Sequence, residues 1–191
     1  MWKKSERNNM STIGTLTQKD KELIAVAASI ASGCLPCTEH HLKAVREAGA
    51  SEAEVLGAIG IASDVRDNAT EIMAEAAQGN LNYEYPMMAQ SGAIEPPIDQ
   101  LVSLGAALAC NSVAGLEYHL TAARAGGATT RQIQITVGIA QNIRRSAAEK
   151  ADSRIGSLIE STEVKVENAE KQEESVPPPC SCNQRSNVTR K

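Results

Sequence analysis

A chain of 191 residues is long enough to bury a sizeable core, and its length suggests one domain or a little more. It holds no Phe, one Trp and three Tyr, so its apolar content is Ala, Ile, Leu and Val rather than the aromatic-rich alternation of strands. A net charge of -4 with no basic stripe to offset it argues weakly against nucleic acid as a partner. No apolar run approaches the roughly 18 residues of a membrane span.

In chain order, Met1-Trp2-Lys3-Lys4 carries charge with no apolar stretch after it, so no secretory signal is expected and the cytoplasm is the expected compartment. Apolar Leu23, Ile24, Ala27 and Ile30 recur at helical spacing and predict a helix from Leu16-Thr17 to about Ser32. After a break at Gly33, a second helix starts at the pair Cys34 and Cys37 and ends before Gly49. Ser51-Glu52-Ala53-Glu54 is a capping box for a third helix bearing Val55, Ile59 and Ala62. A separate fourth helix is expected from about Asp67 to Gln78.

Sliding the chain on itself by 78 residues aligns Glu39, His41, Leu42, Ala44, Arg46, Gly49 and Ala50 with Glu117, His119, Leu120, Ala122, Arg124, Gly127 and Ala128. Arg66 then lies over Arg144, and Thr129 with Gln132 takes the capping-box places. The reading is an all-α protein of two duplicated helical domains. Its segments are a tail at 1–14, a first repeat at 15–79, a linker at 80–97, a second repeat at 98–160 and a disordered tail at 161–191.

Cys34-Leu-Pro-Cys37 with His41 four residues on carries the chemistry. Thiols at i and i+3 of a helix lie within reach of a disulfide. The helix N-terminus favours a thiolate, Pro36 is tolerated in the first turn, and His41 sits one turn on as a proton acceptor. In a reducing compartment such a pair is more often catalytic or metal-binding than a staple. Helical flanks on both sides argue against a thioredoxin setting. A zinc half-site completed by Cys180 and Cys182 is an alternative, and so is a structural role for His119.

Glu22, then Cys34 and Cys37, then His41 and Ala-Val-Arg-Glu-Ala-Gly-Ala-Ser resemble the redox members of the alkylhydroperoxidase D-like, carboxymuconolactone decarboxylase superfamily. The likeness covers about 16–75, and more weakly 98–155. It implies an all-helical domain assembled into trimers or hexamers, with a trimer expected for a two-copy chain. It implies that Cys37 attacks a hydroperoxide, that Cys34 is the more exposed resolving thiol, and that Glu22 and His41 relay the proton. The expected product is a Cys34–Cys37 disulfide, reduced by a lipoylated or thioredoxin-like dithiol protein, with no cofactor. Pro36 departs from well-studied peroxidases of the family, which have a histidine between the cysteines; His40, by spacing, points elsewhere. In the second repeat Ser112, Gly115 and Gln100 lie over Cys34, Cys37 and Glu22, so one site per chain is expected. The alternatives are a protein disulfide reductase, a lactone decarboxylase, and a non-catalytic oligomeric or zinc-binding module.

Overall fold

The computed structural model describes residues 14–80, Tyr85 and 92–163, and its side chains through residue 159. The helices are α1 (Gln18–Ala31), α2 (Leu35–Glu47), α3 (Glu52–Ala77), α4 (Ile98–Ala109), α5 (Val113–Ala125) and α6 (Thr130–Glu163), with no strand among the described residues. The all-α expectation is met. The chain divides into two units, Met1–Arg154 and Ile155–Lys191. Of the second unit, the end of α6 is described; Ile155, Leu158 and Ile159 are exposed there.

Helices α1 and α4 form the centre of the first unit. Every residue from Leu23 to Ser29 is buried, as are Leu101 through Ala107. Neither stretch has an exposed side, because each helix is covered by neighbours: α2, α3 and α4 pack on α1, while α3 and α5 pack on α4. Burial of Leu23, Ile24, Leu101 or Val102 contributes roughly 1.5–3 kcal/mol each. The scarcity of aromatics is resolved by close approach. A Cβ built on Gly105 of α4 would stand 2.9 Å from Cγ2 of Ile24 in α1. Ser29, fully buried, donates to the Ala25 carbonyl at 2.7 Å and so carries no orphaned hydroxyl.

Local signals set the helix ends. Thr17 caps α1 in a box with Asp20, and Ser51 caps α3 in a box with Glu54. Gly49, at φ +86°, turns the chain out of α2 in the left-handed region where a Cβ is costly. The expected break between a third and a fourth helix does not occur, and Glu52–Ala77 is one helix. No Gly or Pro lies between Ile61 and Ala77, and the buried stripe of Ile61, Ala62 and Val65 runs on to Ile72. Ser63 returns its hydroxyl to the Ile59 carbonyl at 3.1 Å, so this polar residue stays within the helix.

At positions 78 residues apart the backbone behaves alike. Gly33 and Asn111 take φ of +71° and +60°, and Gly49 and Gly127 take +86° and +90°. An arginine stands beside each of the first two. Arg66 donates to the Ile30 carbonyl at 3.3 Å, against Gly33, and Arg144 donates to Asn111 Oδ1 at 2.6 Å. Thr129 repeats the Ser51 box, with Gln132 in the place of Glu54.

Candidate functional site

The site is built on the α1–α2 junction. The Cys34 amide donates to the Ser29 carbonyl of α1 at 3.1 Å, which seats the start of α2 against the central helix. Cys34 is the N-cap residue, and its Sγ accepts the amide of Cys37 at 3.3 Å. Pro36 falls in the first turn, where no intrahelical donor is lost. The pair is joined as a disulfide with a Cα separation of 5.3 Å, inside the usual span of such bonds.

His41 sits one turn beyond Cys37, and its Nδ1 lies 2.9 Å from Oε2 of Glu22 on α1. A carboxylate oxygen only accepts, so Nδ1 carries the hydrogen and Nε2 is left as the basic nitrogen. Glu22 is itself held, since Gln18 Nε2 donates to its other oxygen at 2.7 Å. Glu22 and His41 are both partly buried. The structure therefore brings Glu22 and His41 together, and Cys34 with Cys37.

A cavity of about 550 Å³ opens over this junction, within the range of small-molecule sites. Helix α2 lines it with Pro36, Cys37, His40 and His41; α6 supplies Ile139, Asn142, Ile143, Ser146 and Lys150. Two expectations are corrected here. His40 does not point away: it lines the same cavity, its ring 4.9 Å from that of His41 in an edge-on contact. Adjacent residues on a helix are about 100° apart, but both flank the direction of Cys37 and the cavity is wide enough to meet both. Nor does Cys34 stand out as the more exposed sulfur residue, since it and Cys37 are equally buried in the disulfide, at 6% and 7%. Its place as N-cap puts it under the Ser29 anchor, and Cys37 is the one that reaches the cavity.

The second half holds a filled counterpart. His119 Nδ1 lies 3.1 Å from Gln100 Oε1, repeating the His41–Glu22 contact with a neutral partner, and Tyr85 Oη lies 3.1 Å from Nε2. His119 is buried, and burial lowers its pKa to about 4; burial likewise pushes Tyr85 up to about 12. The Ser112 hydroxyl accepts the Gly115 amide at 3.2 Å as Cys34 accepts that of Cys37. A Cβ on Gly115 would come within 2.9 Å of Ser112 Oγ and 3.2 Å of Tyr85 Oη. Cys110 is a free, half-buried thiol whose pKa burial raises. Tyr85 and the α6 residues escaped sequence reading. Tyr85 lies in a Pro-flanked linker, and Asn142, Ser146 and Lys150 look like the solvated side of an ordinary helix. Cys180 and Cys182 lie outside the described residues. No group of three or more His, Cys, Asp or Glu that could hold a metal occurs among the described ones.

A cysteine pair at a helix start, facing a carboxylate-held histidine in an all-helical unit, defines a helical dithiol domain. Residues 6–79 match the Carboxymuconolactone decarboxylase family. The likeness of this chain is thus to the alkylhydroperoxidase D-like, carboxymuconolactone decarboxylase superfamily, over its first half. It is similar to "Uncharacterized protein 4 in cox locus" of Paracoccus denitrificans, 36% identical over 64 residues, 34% of this chain and 58% of that protein. It is also similar to "Alkyl hydroperoxide reductase AhpD" of Corynebacterium kroppenstedtii, 35% identical over 72 residues, 38% of this chain and 41% of that protein. The chain spans about half the length of these relatives.

Proposed function

We propose that this chain is a thiol-dependent peroxidase that reduces hydroperoxides through the Cys34–Cys37 pair. The observation that carries the reading is the cavity in which Cys37 meets a histidine whose Nδ1 is held by Glu22. In the reduced protein His41 Nε2 takes the Cys37 proton. The thiolate then attacks the outer oxygen of the hydroperoxide, the O–O bond breaks, and the leaving alkoxide takes a proton from the His41 imidazolium. Cys37 is now a sulfenic acid. The Cys34 thiol displaces its oxygen as water, and the disulfide seen here is formed. An external dithiol, lipoylated or thioredoxin-like, restores both thiols by exchange and leaves as its own disulfide.

The test is one equivalent of an organic hydroperoxide added to reduced protein, followed by disulfide mapping. Rapid formation of the Cys34–Cys37 bond supports peroxidase chemistry. Slow formation, with quick oxidation by a protein disulfide, supports the second reading, a disulfide reductase. Leu35 favours that alternative: it lies between the two cysteines, is 68% exposed, and offers an apolar contact to a protein substrate.

The same reading takes the 78-residue correspondences as a duplication, with the second half retained as scaffold. It takes a homotrimer as the assembly and the cytoplasm as the compartment. Mass in solution tests the assembly, and a monomer counts against it. No helix among the described residues is long and apolar enough to cross a membrane.

A further inference from the structure

The wall of the cavity opposite Cys37 has a chemistry of its own. Ile139 and Ile143 of α6, one turn apart, face the α2 side with Pro36 and make an apolar stretch. Asn142, Ser146 and Lys150 recur at i, i+4 and i+8, so they stack as a polar stripe along the same helix. The Lys150 ammonium donates to Ser146 Oγ at 3.0 Å and has no ion-pair partner among the described residues. Lys19 and Lys43 differ, being paired with Glu54 and Glu47.

The direction of the hydrogen bonds decides what this stripe recognises. Arg145 donates to Asn142 Oδ1 at 2.5 Å, which leaves the amide Nδ2 of Asn142 as its free group. Ser146 already accepts from Lys150, so its own hydrogen remains to be given. Lys150 has only donors. None of the cavity's lining side chains is a carboxylate. The polar wall is therefore a set of donors ending in one positive charge, beside an apolar stretch and across from the reactive sulfur.

Resting on the peroxidase reading, we propose that the substrate is a hydroperoxide carrying a single carboxylate on an apolar chain, with Lys150 as its specificity-determining residue. One lysine balances one negative charge, and the neutral donors of Asn142 and Ser146 suit carboxylate oxygens. The apolar body lies on Ile139, Ile143 and Pro36, which brings the peroxide group to Cys37. Because Lys150 is exposed, its contribution is that of a screened surface charge, about two- to fivefold in affinity.

The test compares a fatty-acid hydroperoxide with its methyl ester on the wild type and on Lys150→Met and Lys150→Arg. The expected result is a kcat/KM about two- to fivefold higher for the acid, lost in Lys150→Met through KM, kept in Lys150→Arg, and reduced by added salt. Lys43→Met, on a lysine outside the cavity, should leave the preference unchanged. Equal kcat/KM for acid and ester in the wild type overturns the proposal while leaving the peroxidase reading standing. Calorimetric binding of octanoate and octanol to the disulfide form needs no turnover, so it answers the question even for a protein that reduces no peroxide. Octanoate binding that exceeds octanol binding and falls in Lys150→Met supports the proposal; octanoate bound no better than octanol, or unaffected by Lys150→Met, overturns it.

Discussion

Oε2 of Glu22 and Nδ1 of His41 stand 2.9 Å apart across the α1–α2 junction, while Gln100 and His119 make the same contact at 3.1 Å without the charge. The first histidine opens onto a cavity and the second is buried. Replacing Glu22 by Gln therefore makes the first pair resemble the second and leaves its hydrogen bond in place. It should slow peroxide-driven formation of the Cys34–Cys37 disulfide about 10- to 100-fold with little change in thermal stability. A rate within twofold of wild type would remove Glu22 from the proton relay.

The roles of the two sulfurs separate on oxidation of single variants. In Cys34→Ser no partner thiol remains, and peroxide should leave a sulfenic acid on Cys37 that a dimedone-type trap captures. In Cys37→Ser, the remaining Cys34 does not line the cavity where His41 stands, and trapping should be at least about tenfold slower. Faster trapping at Cys34 would reverse the assignment.

The close contact of α1 with α4 makes a stability prediction. Gly105→Ala puts a methyl 2.9 Å from Ile24 Cγ2 and should destabilise the fold by about 1–3 kcal/mol in urea unfolding. Gly60→Ala, an exposed helix position with no atom within 4 Å of a new Cβ, should instead stabilise it by about 0.5–1 kcal/mol. Like signs for the two would mean that Gly105 does not set the approach of these helices.

His119 links stability to pH. Its folded pKa, about 4, lies below the ordinary 6.5, so between those values the unfolded chain binds the proton and the folded chain does not. The contribution is fully present above 6.5 and is lost as pH falls towards 4. Between neutral pH and about pH 5 this amounts to about 2 kcal/mol. His119→Gln should flatten that limb of the stability curve, and an unchanged slope would show that another group carries it.

The helical class, the capping boxes of Ser51 and Thr129, and the placing of Cys34, Cys37 and His41 at the start of one helix were legible from composition and local spacing, whereas Glu22 came from the family resemblance alone, since its contact with His41 crosses from one helix to the next. The break expected before Asp67 was not real, since nothing in Ser63 to Arg66 stops a helix and the buried stripe continues through Val65. His40 was misplaced because spacing on one helix does not say how wide the space beside it is. Lys150 and Tyr85 were invisible for another reason. Each meets the chemistry from a distant part of the chain, and neither carries a periodic or motif signal of that contact.

Tyr85 gives the proposed duplication a direction in time. An empty second site could regain a thiol by a single substitution at Gly115. Here the tyrosine hydroxyl already stands 3.2 Å from where that side chain would begin, hydrogen-bonded to the histidine beneath it. A returning cysteine would meet an occupied space and would need a coordinated change thirty residues earlier in the chain. On the duplication reading the filling would act as a ratchet, holding the chain to a single dithiol.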